Sequence, residues 1–136
     1  MNDVPNPRTV RANSAGARVL LIDDDPTFSK LASKHLERAG HRVSLHPGSF
    51  GVLGVVRREQ FDVILVDMRM PYIDGPHLLT MLRKHRLDRA LLVLVSAAEE
   101  DEVESAASRH GADLHFCKRW GFERLADLVD AGAPTR

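Results

Sequence analysis

Four short apolar runs along the chain each end in a residue of definite chemistry. Val19-Leu20-Leu21-Ile22 leads into Asp23-Asp24-Asp25, and Val63-Ile64-Leu65-Val66 leads into Asp67. Leu91-Leu92-Val93-Leu94-Val95 leads into Ser96, and Leu114-His115-Phe116-Cys117 leads into Lys118. Apolar runs this short, separated by helical patterns, predict strands buried on both faces of a parallel sheet. Arg42 to Leu45 predicts a further, weaker strand. After the first strand, Phe28, Leu31, Ala32, Leu36 and Ala39 share one helical face, and Gly40 follows as a stop. Ser49 is placed to cap a second helix reaching about Glu59, weakened by Gly51 and Gly54. Asp74 caps a third through Leu78, Leu79, Met81 and Leu82 to Arg86, a fourth runs from Glu99 to His110 before Gly111, and Phe122, Leu125, Ala126 and Val129 mark the last. Strand and helix alternate five times. Right-handed crossovers then make a doubly wound, five-stranded parallel α/β fold with helices on both faces.

The length of 136 residues and the 43% apolar content fit one folded domain with an ordinary core. The 19 basic and 19 acidic residues cancel, so net charge points to neither nucleic acid nor a membrane surface. A lone Cys117 within an apolar run reads as a small core residue, which suits a reducing compartment. No apolar stretch approaches a membrane span, and the first residues lack a secretory pattern, so the expected location is cytoplasmic. Residues 1–17, with Pro5, Pro7 and Gly16, read as a flexible tail, residues 18–131 as the domain, and residues 132–136 as a short C-terminal tail.

An open parallel sheet binds ligands beyond the carboxyl ends of its strands. Four strand ends therefore bring carboxylates, a hydroxyl and an ammonium to one rim. Asp25-Pro26 fits an N-cap followed by a first-turn proline, which leaves Asp23 and Asp24 beside Asp67 for a cation. Carboxylates sharing a site favour a bound cation or a raised pKa, and Mg²⁺ needs few direct protein ligands because it keeps waters. An aspartate carboxylate can attack phosphorus to form an aspartyl phosphate. Asp67 is the candidate, with Ser96 and Lys118 as donors to the remaining phosphoryl oxygens.

These segments together resemble the motif set of bacterial response-regulator receiver domains: Val19 to Pro26, Asp67-Met68-Arg69-Met70-Pro71 with Asp74-Gly75, Ser96-Ala97, and Lys118. The resemblance covers residues 18 to about 131. It implies a flavodoxin-like sheet in strand order 2-1-3-4-5. It implies a phosphoryl group passed from a sensor histidine kinase or a histidine phosphotransfer protein to Asp67. It further implies Mg²⁺ at Asp23, Asp24, Asp67 and the backbone carbonyl of Arg69, a switch hydroxyl at Ser96, and a phosphate-pairing ammonium at Lys118. Such a chain catalyses only its own phosphorylation and dephosphorylation, and signals by binding a downstream protein. With 18 residues after Lys118, no DNA-binding output is expected within this chain.

Two positions depart from the family pattern. Arg119 stands where a proline normally follows the lysine. A cis peptide before a non-proline costs about 2.5–4 kcal/mol, so the Lys118–Arg119 bond is expected trans, with Lys118 still facing the acidic rim. His115 stands at the aromatic switch position. These departures support an alternative, a receiver-like adaptor that does not switch. A Mg²⁺-dependent phosphohydrolase is a further alternative, but that chemistry usually wants a second acid where Arg69 stands. The seven histidines show no His-x-x-x-His helix or comparable zinc spacing, and none is expected to form a metal site.

Overall fold

The protein is described by a computed structural model over residues 16–85 and 90–134. Five parallel strands, β1 (Arg18–Ile22), β2 (Arg42–His46), β3 (Val63–Asp67), β4 (Leu91–Ser96) and β5 (Leu114–Cys117), form one sheet in the order β2-β1-β3-β4-β5. This is the expected 2-1-3-4-5 order of the flavodoxin-like fold. Helices α1 (Pro26–Arg38), α2 (Val52–Arg58), α3 (Gly75–Lys84), α4 (Glu100–His110) and α5 (Phe122–Gly132) fill the crossovers. A 3-10 turn, Lys118–Trp120, links β5 to α5.

The strand runs are apolar throughout because each side of the sheet is covered. Leu20, Ile22, Ile64, Val66, Leu92 and Leu94 pack beneath α2, α3 and α4. The alternate residues Val19, Leu21, Leu65, Val93, Val95 and Phe116 pack against α1 and α5. Each fully buried Leu or Ile contributes roughly 1.5–3 kcal/mol of transfer free energy. With β1 and β3 central in the sheet, Asp23 and Asp67 emerge side by side at its C-terminal edge.

Local chemistry sets the element ends. The Asp25 side chain accepts from the N–H groups of Thr27 and Phe28, and Pro26 opens α1. Asp74 accepts from His77 N–H at the start of α3. Gly111, in the left-handed region at φ 83°, closes α4. Three expectations need correction. Helix α2 begins at Val52 behind a left-handed Gly51, and the Ser49 side chain makes no cap. The buried Ser49 hydroxyl has no hydrogen-bond partner among the described residues. Helix α3 ends at Lys84 with His85 as its cap, while Arg86 lies outside the described residues. Strand β5 stops at Cys117, so Lys118 opens the 3-10 turn instead of closing the strand.

At the opposite edge, a buried pair fixes the base of the fold. Ala17 N–H donates to His41 Nδ1 at 2.9 Å, and His41 Nε2 lies 2.7 Å from the Asp130 carboxylate. Because Nδ1 accepts, Nε2 carries the proton that faces Asp130. Of the tail expected at residues 1–17, residues 1–15 lie outside the described residues, whereas Ala17 is buried. Cys117 is buried and free, as a core residue should be. No helix among the described residues is long and apolar enough to cross a membrane.

The two candidate caps separate cleanly by mutation. Asp25→Ala should lower the urea-unfolding free energy of metal-free protein by about 1 kcal/mol, the usual worth of an N-cap. Ser49→Ala, which removes a buried hydroxyl that bonds nothing, should leave it unchanged or raise it.

Candidate phosphoacceptor site

Asp23, Asp24 and Asp67 converge at the C-terminal edge of β1 and β3, with one carboxylate oxygen of each lying within 4.8 Å of the others. Asp23 is held by its own backbone turn, since its Oδ1 accepts from Asp25 N–H at 2.8 Å. Its Oδ2 is buried and faces Lys118 Nζ at 2.8 Å. The same ammonium lies 3.4 Å from Asp67 Oδ1. Lys118 thus bridges two strands' carboxylates from the turn after β5. Its ammonium rests over the Phe28 ring, with Nζ 4.3 Å from the ring centre, which adds a cation–π attraction from α1.

The electrostatics follow from this crowding. Burial first, then the charge of Asp23, pushes the Asp67 carboxyl up from its ordinary 3.8 to about 6, against the opposing pull of Lys118. Burial alone would lower Lys118. Its hydrogen bond to Asp23 and the charges of Asp67 and Asp23 outweigh burial and hold the ammonium above its usual range. Three carboxylates against one ammonium leave an excess of negative charge. A cluster of hard oxygen donors with one exposed member, Asp24, has the donor chemistry that a small divalent cation requires.

Asp67 opens onto a cavity of about 430 Å³ lined also by Arg69, Ser96, Ala97, Glu102 and Lys118. Ser96 is buried, and its Oγ accepts from Ala98 N–H at 3.0 Å, which leaves the hydroxyl proton available toward the cavity. The Arg69 side chain is turned to Glu102, with Nη2 2.7 Å from its carboxylate. Every peptide bond among the described residues is trans, Lys118–Arg119 included. Arg119 reaches back to donate to the Ala98 carbonyl at 3.2 Å.

Of the residues singled out by sequence, the fold brings Asp23, Asp24, Asp67 and Lys118 into one cluster and sets Ser96 and Arg69 around the same cavity. His115 sits elsewhere. It lies on β5 with Nε2 3.2 Å from Glu100 and its ring 5.7 Å from that of Trp120. Two positioning residues escape the sequence reading. Phe28 appears there only as a core position. Gly75 appears only beside a cap, yet a Cβ at that position would stand 2.2 Å from the Asp67 carbonyl oxygen. The signal for it was present in Asp74-Gly75, but only the chain's return against β3 reveals the need.

The chain matches the family described as the response regulator receiver domain over residues 19–130 and belongs to it. It is 34% identical over 115 residues to the transcriptional activator protein PfeR of Pseudomonas aeruginosa, a match covering 84% of this chain and 37% of PfeR. It is 29% identical to the sensor protein GacS of Pseudomonas syringae, over 95% of this chain and 15% of GacS. The chain therefore spans well under half the length of these relatives. Among solved structures, the receiver domain of the sensor histidine kinase PA1611 from Pseudomonas aeruginosa, described with a magnesium ion in its active-site cleft, superposes with a TM-score of 0.77. That match is 22% identical and covers 86% of this chain and 97% of the other.

The raised Asp67 pKa fixes the sign of a stability effect. A carboxyl whose folded pKa lies above its unfolded value opposes folding when ionised, and this penalty is complete above about pH 6 and relieved as pH falls toward 4. In metal-free protein at pH 7.5, Asp67→Asn should raise the unfolding free energy by roughly 1–3 kcal/mol, with the gain vanishing near pH 4. Thermal and urea unfolding across this range measure it.

Proposed function

We propose that this chain is the phosphoacceptor module of a His-Asp phosphorelay, with Asp67 as the residue that takes the phosphoryl group. The observation that carries this reading is the Lys118 ammonium set between Asp23 and Asp67 at 2.8 and 3.4 Å within a triad of carboxylates. A nucleophile, a fixed cation and a hydroxyl around one open cavity constitute a phosphoryl-transfer site with little other chemistry available to it.

In the proposed reaction an Asp67 carboxylate oxygen attacks the phosphorus of a phosphohistidine on the partner. The P–O bond forms as the P–N bond breaks, and the histidine leaves with its electron pair. Lys118 follows the growing charge from the Asp67 carboxylate to a phosphoryl oxygen, and the Ser96 hydroxyl donates to another. Mg²⁺ held by Asp23, Asp24, Asp67 and the Arg69 carbonyl would supply the charge neutralisation that lets a phosphoryl dianion approach. The acidic cluster supports this cation, and so does the magnesium described in the PA1611 receiver. Catalysis is confined to the chain's own phosphorylation and dephosphorylation.

The phosphodonor is a sensor histidine kinase or a histidine phosphotransfer protein, a reading supported by the likeness to GacS, itself a sensor protein. Output passes through binding of a further protein, in the cytoplasm where such kinases deliver phosphoryl groups. The unit that performs this chemistry is centred on residues 18–131, extended by the buried Ala17 at one end and by Gly132, the last residue of α5, at the other. His115 and the Glu100 carboxylate beside it would take the switch role, responding to Ser96 across the β4–β5 edge.

Incubation with acetyl phosphate and Mg²⁺ tests the reading. Intact mass should rise by one phosphoryl group in the wild type and not in Asp67→Asn, and Lys118→Ala should label at least tenfold more slowly. Labelling that persists in Asp67→Asn would remove Asp67 from the role. In parallel, Mg²⁺ affinity should fall at least tenfold in Asp24→Asn, as read by titration.

A further inference from the structure

Away from the acidic cluster, two histidines from different helices meet on the surface formed by α3 and α4. His77 lies in the first turn of α3 and His110 closes α4, and their ring centres are 5.8 Å apart with planes inclined at 57°. The 32 intervening positions hid this pair from any spacing argument.

Each ring is held by its Nδ1. His77 Nδ1 lies 2.7 Å from Asp74 Oδ1, an oxygen that also accepts from His77 N–H at 3.0 Å. A carboxylate only accepts, so Nδ1 carries the proton and Nε2 presents a lone pair. His110 Nδ1 lies 3.1 Å from Thr80 Oγ1, whose own proton is directed to the Pro76 carbonyl at 3.2 Å. Thr80 therefore accepts from His110 Nδ1, and His110 Nε2 is likewise left as a bare donor atom. A carboxylate or hydroxyl that orients the far nitrogen of an imidazole is the usual outer support of a metal-bound histidine.

The separation fits. With a metal–nitrogen bond of about 2.0–2.1 Å, the ion sits about 3.2 Å from each ring centre. Two imidazoles on one ion at angles of about 110–130° then have centres about 5.2–5.8 Å apart. We propose that His77 and His110 form a surface site for a borderline divalent transition ion, with Zn²⁺ as the reference case. Nε2 of each ring ligates the ion and water completes the shell. Among the described residues, the group of three or more converging His, Cys, Asp or Glu ligands is the acidic cluster, so the histidine pair stands as a two-ligand site. The two sites divide cations by chemistry, because imidazole prefers zinc, copper or nickel and all-oxygen donors prefer magnesium. This site is independent of the phosphoacceptor reading. An ion bound here would join the start of α3, directly after the Asp67 loop, to the end of α4.

Calorimetric titration with Zn²⁺ at pH 7.5, in millimolar Mg²⁺ so that the acidic cluster is occupied, tests the site on the full chain. The wild type should bind one equivalent, His77→Gln and His110→Gln should each bind at least tenfold more weakly, and His85→Gln should match the wild type. All four proteins should show the same circular dichroism spectrum, since both rings lie at the surface. Wild type that fails to bind Zn²⁺, or His77→Gln and His110→Gln proteins that bind it as tightly as wild type, would overturn the proposal.

Discussion

Mutual repulsion among three carboxylates at the edge of a parallel sheet is the constraint around which this molecule is arranged. Two unit charges 4 Å apart repel by about 4 kcal/mol at the effective dielectric near a protein surface. The fold cannot relax that repulsion by moving the groups apart. Asp23 is fixed by its hydrogen bond to Asp25 N–H, and Asp67 by the pairing of β3 with β4, where it stands opposite Val95. One compensating charge is built in, the Lys118 ammonium, braced by Phe28 beneath it. The remaining negative charge makes the rim receptive to a cation, and with a cation present, to a phosphoryl group.

The surroundings of this rigid centre are held differently. Arg69 pairs with Glu102, and Arg119 reaches Ala98 and Glu99, so the cavity walls are joined by exposed side chains. Exposed ion pairs of this type are worth roughly 0–1 kcal/mol. Asp67 is thus carried on the most buried strand, while the loops that frame it are tied by weak, exposed contacts. Arg119, which stands where the family has proline, contributes one of those ties, and the trans peptide after Lys118 leaves the ammonium on the acidic rim.

The strands were legible in sequence because burial on both faces writes itself as continuous apolar runs, and their ends placed Asp23, Asp67, Ser96 and Lys118 on one edge. Caps at Asp25 and Asp74 were legible because each is a local interaction within three residues. What could not be read depends on contacts distant in sequence. Ser49 has the right residue type for a cap, but the left-handed Gly51 starts α2 later and leaves that hydroxyl buried. The chemistry of Lys118 turns it toward the acidic rim, but only the fold shows that its shorter contact there is to Asp23 and not to Asp67. The need for glycine at position 75, and the meeting of His77 with His110, exist only once the chain has folded back on itself.

The balance between repulsion and Lys118 is accessible to one direct measurement, the side-chain carboxyl titration of Asp67 by carbon-detected NMR in metal-free protein. In the wild type Asp67 should titrate well above its ordinary 3.8, near 6. Lys118→Ala should move it higher still, because the one opposing attraction is gone. An Asp67 that titrates at or below the ordinary carboxylate value, or one whose titration is the same with and without Lys118, would contradict the account.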